Sequence, residues 1–286
     1  MRDPYDIVLD LLKTAHRVAL GFGDSDTEEV RDEHSTDIST KADRALSKAI
    51  IDRALALSPG CTLLTEEAGK IEGEGEITIA VDDLDGTDNF FRARELLPWC
   101  SVVTIFKGRN PRFRDAVAAG IIEHRSGTIW AVSSSGASIE RRADGVEKSL
   151  RTSRKAGLDR RTLVAFDHYS ARGGVSRFSR LHEQCWVKDF GSSALHLALV
   201  AAGRIEAFVN PVHKGHELGA GYLLVTSAGG TVETLDGGEL GDLPFDFNAT
   251  YPVLVAASED LSKAIRETIQ KAHDLPQNAK SRERRI

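Results

Sequence analysis

Residues 77–90 read ITIAVDDLDGTDNF, from Ile77 to Phe90, and this stretch organises the rest of the chain. An apolar run of strand character, Ile77–Val81, leads directly into Asp82, Asp83, Asp85 and Asp88, with Gly86 turning the chain. Carboxylates crowded at a strand end repel one another unless a cation lies among them. Alternate carboxylates on a turn can converge on one point, and hard oxygen donors suit Mg²⁺. Taken alone, D-x-x-D-G-T describes a solvated acidic turn equally well. The neighbours shift the balance. Leu63-Leu64-Thr65-Glu66-Glu67 is a second strand running into paired carboxylates, and Asp37-Ile38-Ser39-Thr40-Lys41-Ala42-Asp43 places two more acids at the start of a helix.

Working outward, residues 5–20 put Val8, Leu11, Leu12, Ala15, Val18 and Ala19 on one helical face. A polar loop over 23–36 follows, and then a helix from Ser39 to Leu57 that Pro59-Gly60 stops. Beyond Cys61–Thr65 and Ile77–Val81, further strands are expected at Ser101–Phe106, Val117–Ile122 and Ile129–Val132, giving a largely antiparallel sheet. The second half alternates: strands at Thr162–Phe166, Trp186–Lys188, Ile205–Val209 and Val253–Ala257, helices at Ser176–Glu183, Ser193–Ala202, Gly219–Ala228 and Glu259–Ala272, the last capped by Ser258. That alternation predicts an α/β layer. The chain turns polar over 135–155, so subdomains are expected at 1–150 and 151–274, with a basic tail at 275–286.

Composition excludes several classes. With 286 residues the chain builds one large domain or two intimate subdomains. The apolar fraction of 41% and mean hydropathy of -0.25 are those of a globular protein, and no run approaches a membrane span. A net charge of -6 with no broad basic surface argues against nucleic acid as a partner. Cys61, Cys100 and Cys185 are far apart and form no C-x-x-C, which fits a cytoplasmic location and argues against a thiolate metal site.

The acidic elements, in this order and spacing, resemble the inositol monophosphatase family of lithium-sensitive, Mg²⁺-dependent phosphatases. Asp37-Ile-Ser-Thr-x-x-Asp43 and Thr65-Glu66-Glu67 are similar to two of its elements, and Asp82–Phe90 resembles its D-P-I/L-D-G-T-x-N-F signature. Gly191-Ser-Ser-Ala-Leu195, running on to Phe208, is similar to its G-S-x-A-L and A-A-G-R segments. The resemblance implies a layered αβαβα sandwich, α/β (α+β) in class. It also implies two or three Mg²⁺ ions, replaceable by Mn²⁺, on Glu66, Asp82, the Leu84 carbonyl, Asp85 and Glu217. Thr87, Asp43 and Glu67 would be the catalytic groups. Gly86, Thr87, Ser192, Ser193 and Asn210 would face the substrate, and Ser192 reads equally as a helix cap. Members are commonly homodimers. They hydrolyse small phosphate esters such as inositol monophosphate, fructose 1,6-bisphosphate, histidinol phosphate or 3′-phosphoadenosine 5′-phosphate.

Departures from the pattern matter as much. Glu217 stands where the W-D-x-A-A-G signature has aspartate, and His216 replaces the tryptophan. The extra methylene adds about 1.3 Å of reach. Either the backbone retreats and Glu217 still ligates, directly or through a water, or the second ion site is weakened. Asp83 replaces the signature proline and either adds charge near the metals or points to solvent. His34 lies near the family's upstream lysine, which has no clear match. Asn210 stands where inositol-cleaving members have a sugar-binding glutamate. His213 and His216 are expected in a Pro/Gly-bounded loop, an arrangement that disfavours a zinc motif. His168 and Tyr169 fall on a loop that could cover the pocket. The competing reading is a degenerate member that binds a phosphorylated ligand with little turnover.

Overall fold

The computed structural model describes residues 2–27, 41–167 and 178–273. The helix α1 (Pro4–Ala19) begins where Asp3 accepts the Tyr5 amide at 2.8 Å, with Pro4 at its first position. Next come α2 (Lys41–Leu57), β1 (Thr62–Thr65), β2 (Gly69–Ile71), β3 (Ile77–Asp85), α3 (Thr87–Ala93), β4 (Cys100–Lys107), β5 (Ala116–Glu123), β6 (Thr128–Ser133), β7 (Ser138–Arg141) and β8 (Glu147–Ser149). The second half contains β9 (Leu163–Phe166), α4 (Ser179–Gln184), β10 (Trp186–Lys188), α5 (Ser193–Ala201), β11 (Ala207–Lys214), α6 (Gly215–Ser227), β12 (Thr231–Thr234), β13 (Thr250–Ala256) and α7 (Glu259–His273).

The strands form an eight-stranded sheet, ordered β2-β1-β3-β4-β5-β6-β7-β8, and a five-stranded sheet, ordered β10-β9-β11-β13-β12. Three apolar clusters define the layers. One packs α1 and α2 on the outer face of the large sheet, through Val8, Leu12, Leu46 and Ile50 against Leu63, Ile79, Val81 and Val103. A second lies between the sheets, where Leu197 of α5 and Leu218 and Leu224 of α6 meet Ala80, Val102 and Phe106 on one side and Phe208 and Val253 on the other. The third closes the small sheet with Leu181 of α4 and Leu261 and Ile265 of α7. The chain is therefore an αβαβα sandwich, as the resemblance implied.

Close approach is built in where layers meet. A Cβ on Gly221 would lie 2.5 Å from Leu197 Cδ1, so this glycine lets α6 nest against α5. Ser258 caps α7 as expected, accepting the Leu261 amide at 3.2 Å. Several boundaries differ from the sequence reading. The strand β3 runs on through the acidic residues to Asp85, because a neighbouring strand pairs with it there. The helix α6 begins at Gly215, four residues before the expected start, so His216 and Glu217 are helical and His213 is on β11, not in a loop. Strands β2, β7, β8 and β12 and helix α3 were not anticipated. They are short, with polar or half-exposed residues that carry little periodic signal. His34, Asp37, His168, Tyr169 and the tail 275–286 lie outside the described residues.

Candidate metal centre

In a regular strand, residues three apart point to opposite faces. A bulge in β3 cancels that alternation. Asp82 pairs with Val102 and Asp85 with Cys100, so Asp83 and Leu84 together oppose the single Ser101. The Ser101 hydroxyl fastens the bulge by donating to the Asp83 carbonyl at 2.5 Å. Asp82 and Asp85 consequently face the same way, into the layer of α5 and α6. The parallel strand β1 runs beside β3, with Thr65 opposite Val81, and delivers Glu66 next to Asp82.

The helices supply the rest. Asp85 sits on the first turn of α5. It accepts from the Ser192 hydroxyl and from the amides of Ser193 (3.3 Å) and Ala194 (2.9 Å). The same Ser192 oxygen accepts the Leu195 amide at 3.2 Å, so this residue caps the helix and tethers the carboxylate. From the first turn of α6 come His216 and Glu217. Two sets of donors result, each with its atoms within 4.8 Å of one another: Glu66, Asp82 and His216 in one, and Asp82, Asp85 and Glu217 in the other. Both helix starts present the positive end of a dipole to this acidic cluster.

Among the described residues, charge at the centre is only partly compensated. Asp82 is 1% exposed, and its Oδ1 has no hydrogen-bond partner among the described residues. Burial pushes its carboxyl well above the usual range, and Glu66, Glu217, Asp85 and Asp83 push it further. Burial and Glu217 do the same to Asp85, against the three donors on α5. Glu217 differs: burial raises it, but His213, His216 and Lys214 together outweigh burial and hold it below its ordinary value. His213 Nε2 is 3.4 Å from Glu217 Oε2, and His216 Nε2 is 3.6 Å from Oε1. Lys214 reaches Glu66 at 3.2 Å. Carboxylates raised by burial and by mutual repulsion, with Asp82 Oδ1 and Glu217 Oε2 lacking hydrogen-bond partners among the described residues, are a donor set that fits hard divalent cations.

The other expected residues are placed as follows. Gly86 adopts φ +84°, and a Cβ there would meet the carbonyls of Pro98 (3.1 Å) and Gly191 (3.2 Å), so the turn requires glycine. The Thr87 hydroxyl donates to the Leu84 carbonyl at 3.0 Å and lies 3.5 Å from Asp43 Oδ1. Asp43 is buried on α2. Glu67 lies outside both donor sets, on the side of Arg44 (3.9 Å). The Asn210 amide is engaged locally, donating to Asp167 at 2.9 Å and accepting the Val212 amide at 2.8 Å. Asp83 is 1% exposed, so it does not point to solvent. The bulge turns it to the α2 side, where burial raises its carboxyl and the Ser47 hydroxyl and Glu67 backbone pull it down without completing a hydrogen bond of normal geometry. Sequence reasoning missed Lys214, Ser101 and the donor role open to His216. The tryptophan-to-histidine departure was the available signal for the last. The three cysteines are free and buried, as expected of small apolar residues.

Comparisons with known proteins bear on the family and the fold. A family model described as the inositol monophosphatase family matches residues 8–274. An inositol-1-monophosphatase of Caulobacter vibrioides is 29% identical over 78% of this chain and 86% of its own length. The Nus factor SuhB of Escherichia coli is 30% identical over 89% of this chain and 95% of its own. Among solved structures, an IMPase of Thermotoga maritima superposes with a TM-score of 0.76 at 20% identity, covering 96% of this chain and 99% of that one.

Proposed function

The chain belongs to the inositol monophosphatase family, and on that footing we propose that it is a Mg²⁺-dependent phosphomonoesterase acting on a small phosphate ester. The observation that supports this most is the convergence of Glu66, Asp82, Asp85 and Glu217 at one largely buried place, with too few cationic groups beside them among the described residues. Divalent ions held there would supply Lewis-acid stabilisation of phosphoryl oxygens and an acidified water as nucleophile. Glu66, Asp82 and the Leu84 carbonyl would hold one ion, and Asp82, Asp85 and Glu217 another; Mn²⁺ is a substitute.

The chain's own groups then position the reactants. The Thr87 proton is shared between the Leu84 carbonyl and Asp43. That leaves the Thr87 oxygen as an acceptor for the attacking water, orienting it in line with the ester bond. Glu67 is assigned a supporting role in handling that water's proton. The amides of Gly86 and Thr87, at a helix start without intrahelical acceptors, face the phosphate. Ser193 borders the leaving-group side, while Ser192 acts there through Asp85. Asn210 has one N–H engaged by Asp167 and its oxygen engaged by the Val212 amide, which leaves a second N–H and a second lone pair for the leaving group. Among the described residues, no helix is long and apolar enough to cross a membrane. A cytoplasmic homodimer with a small phosphorylated substrate is the assembly we favour.

The test is phosphate release from inositol monophosphate, fructose 1,6-bisphosphate, histidinol phosphate and 3′-phosphoadenosine 5′-phosphate, with Mg²⁺ or Mn²⁺ and after chelation. Inertness across the panel would overturn the proposal. One observation favours a second reading, a ligand binder with little turnover: His213, His216 and Lys214 crowd Glu217 and hold its carboxyl below its ordinary value, so a cation is less needed there. Some relatives, moreover, are named Nus factor SuhB. Calorimetry showing that phosphate esters bind without hydrolysis, and no gain of rate in Glu217→Asp, would select it.

A further inference from the structure

The two donor sets differ in one atom type. Asp82, Asp85 and Glu217 offer oxygen only, whereas Glu66 and Asp82 are joined by a ring nitrogen of His216. Tryptophan, which the family signature has at this position, carries an N–H that only donates. A neutral imidazole nitrogen has a lone pair for a metal.

The separations suit a shared ion. Donors around one octahedral ion at about 2.1 Å stand about 3.0–4.2 Å apart. His216 Nε2 is 3.9 Å from Asp82 Oδ2, and one donor atom from each of Glu66, Asp82 and His216 lies within 4.8 Å of the other two. The orphaned Oδ1 of Asp82 is a second, independent sign that this place expects a cation. His216 is itself only 5% exposed, fixed by the first turn of α6 and packed with its ring centroid 5.1 Å from that of Phe247. His213 is excluded from the role by its own geometry. Its Nδ1 bonds the Lys214 carbonyl at 2.8 Å and its Nε2 faces Glu217, outside both sets. The Lys214 ammonium near Glu66 marks where positive charge is already drawn.

We propose that His216 is a nitrogen ligand to the ion held by Glu66 and Asp82, and that this position therefore selects Mn²⁺, Co²⁺ or Zn²⁺ over Mg²⁺. The inference rests on the reading of these carboxylates as ion ligands and deepens it. Imidazole suits first-row transition ions, while Mg²⁺ keeps to oxygen and gives up its waters reluctantly. The all-oxygen set remains suited to Mg²⁺, so the centre becomes a mixed pair. The competing role for His216 is a charged partner of Glu217 at 3.6 Å, which would leave no lone pair for a metal.

Electron spin-echo spectroscopy on chelator-stripped protein loaded with one equivalent of Mn²⁺ decides between them. Histidine-nitrogen modulation is expected in the wild type, changing isotope pattern when histidine is ¹⁵N-labelled. It is expected to persist in His213→Gln and vanish in His216→Gln, where the Mn²⁺-over-Mg²⁺ affinity ratio falls at least tenfold. A wild-type spectrum without histidine coupling overturns the proposal even if neither variant folds. So does coupling that survives His216→Gln. Phosphate release measured alongside separates the two claims: turnover with Mg²⁺ but no nitrogen coupling sinks the ligand assignment alone, and coupling without turnover sinks the phosphatase reading alone.

Discussion

Two carboxylates on one strand, Asp82 and Asp85, are handled in opposite ways. Asp85 is fastened by three donors from the start of α5, across the seam between the two halves of the chain. Asp82 is more deeply buried, and one of its oxygens has no partner. The difference teaches how the centre divides its labour. Asp85 is oriented by protein alone and lends its remaining lone pairs. Asp82 belongs to both donor sets and, on the proposed function, is the carboxylate that cations would satisfy.

Breaking the shared residue has the largest expected effect. Asp82→Asn is expected to lower kcat/KM by about 10³-fold or more, several kcal/mol of transition-state stabilisation. The same variant, without metal, is expected to melt at a higher temperature than the wild type, because a repelled buried charge is gone. Steady-state kinetics and calorimetry check the two opposite signs. Next in size is the response to cation. At a free concentration of 100 times Kd, a divalent ion stabilises by about 2.7 kcal/mol, which raises Tm by roughly 4–5 °C for a domain of this length. Chelation reverses the shift in a thermal scan.

Loosening the tethered carboxylate costs less. Ser192→Ala removes the hydroxyl that Asp85 accepts and the cap of α5. Activity is expected to fall about 10–100-fold and stability by about 1 kcal/mol, while the nitrogen signal from His216 is unchanged. The smallest effect is expected where a carboxylate has its counter-ion built in. Asp10 accepts two bonds from Arg53, at 2.7 and 2.6 Å, and this pairing holds its carboxyl below the usual value. A depressed acid contributes stability that is present above its unfolded pKa of about 3.9 and is lost as pH falls through the folded value. Asp10→Asn is therefore expected to cost at most about 1 kcal/mol near neutrality. The loss fades below about pH 4, as urea titrations at several pH values would report.

Much of the fold was legible because periodicity changes cleanly, from helical spacing in α1 to strand runs ending in acid at Glu66 and Asp82. The crowding of acids was legible in part for the same reason: Glu66 and Asp82 each follow an apolar strand, where carboxylates set close together repel one another. What escaped was geometry that local pattern cannot carry. The bulge opposite Ser101, which aligns Asp82 with Asp85 and sends Asp83 inward, depends on pairing with β4. The early start of α6 was masked by Pro211 and Gly215, which read as a loop, although Glu217 in a first turn is the acid a helix start favours. Ser192 could be read as a cap, but its bond to Asp85 joins residues from opposite halves.

Phosphate release from the ester panel, followed as chelated protein is titrated with divalent cation, tests the central claim most directly. The expected result is no release without cation, release that rises to saturation as cation is added, and release lowered by about 10³-fold or more at every cation concentration in Asp82→Asn. Release that is indifferent to cation, or to the loss of Asp82, would contradict it.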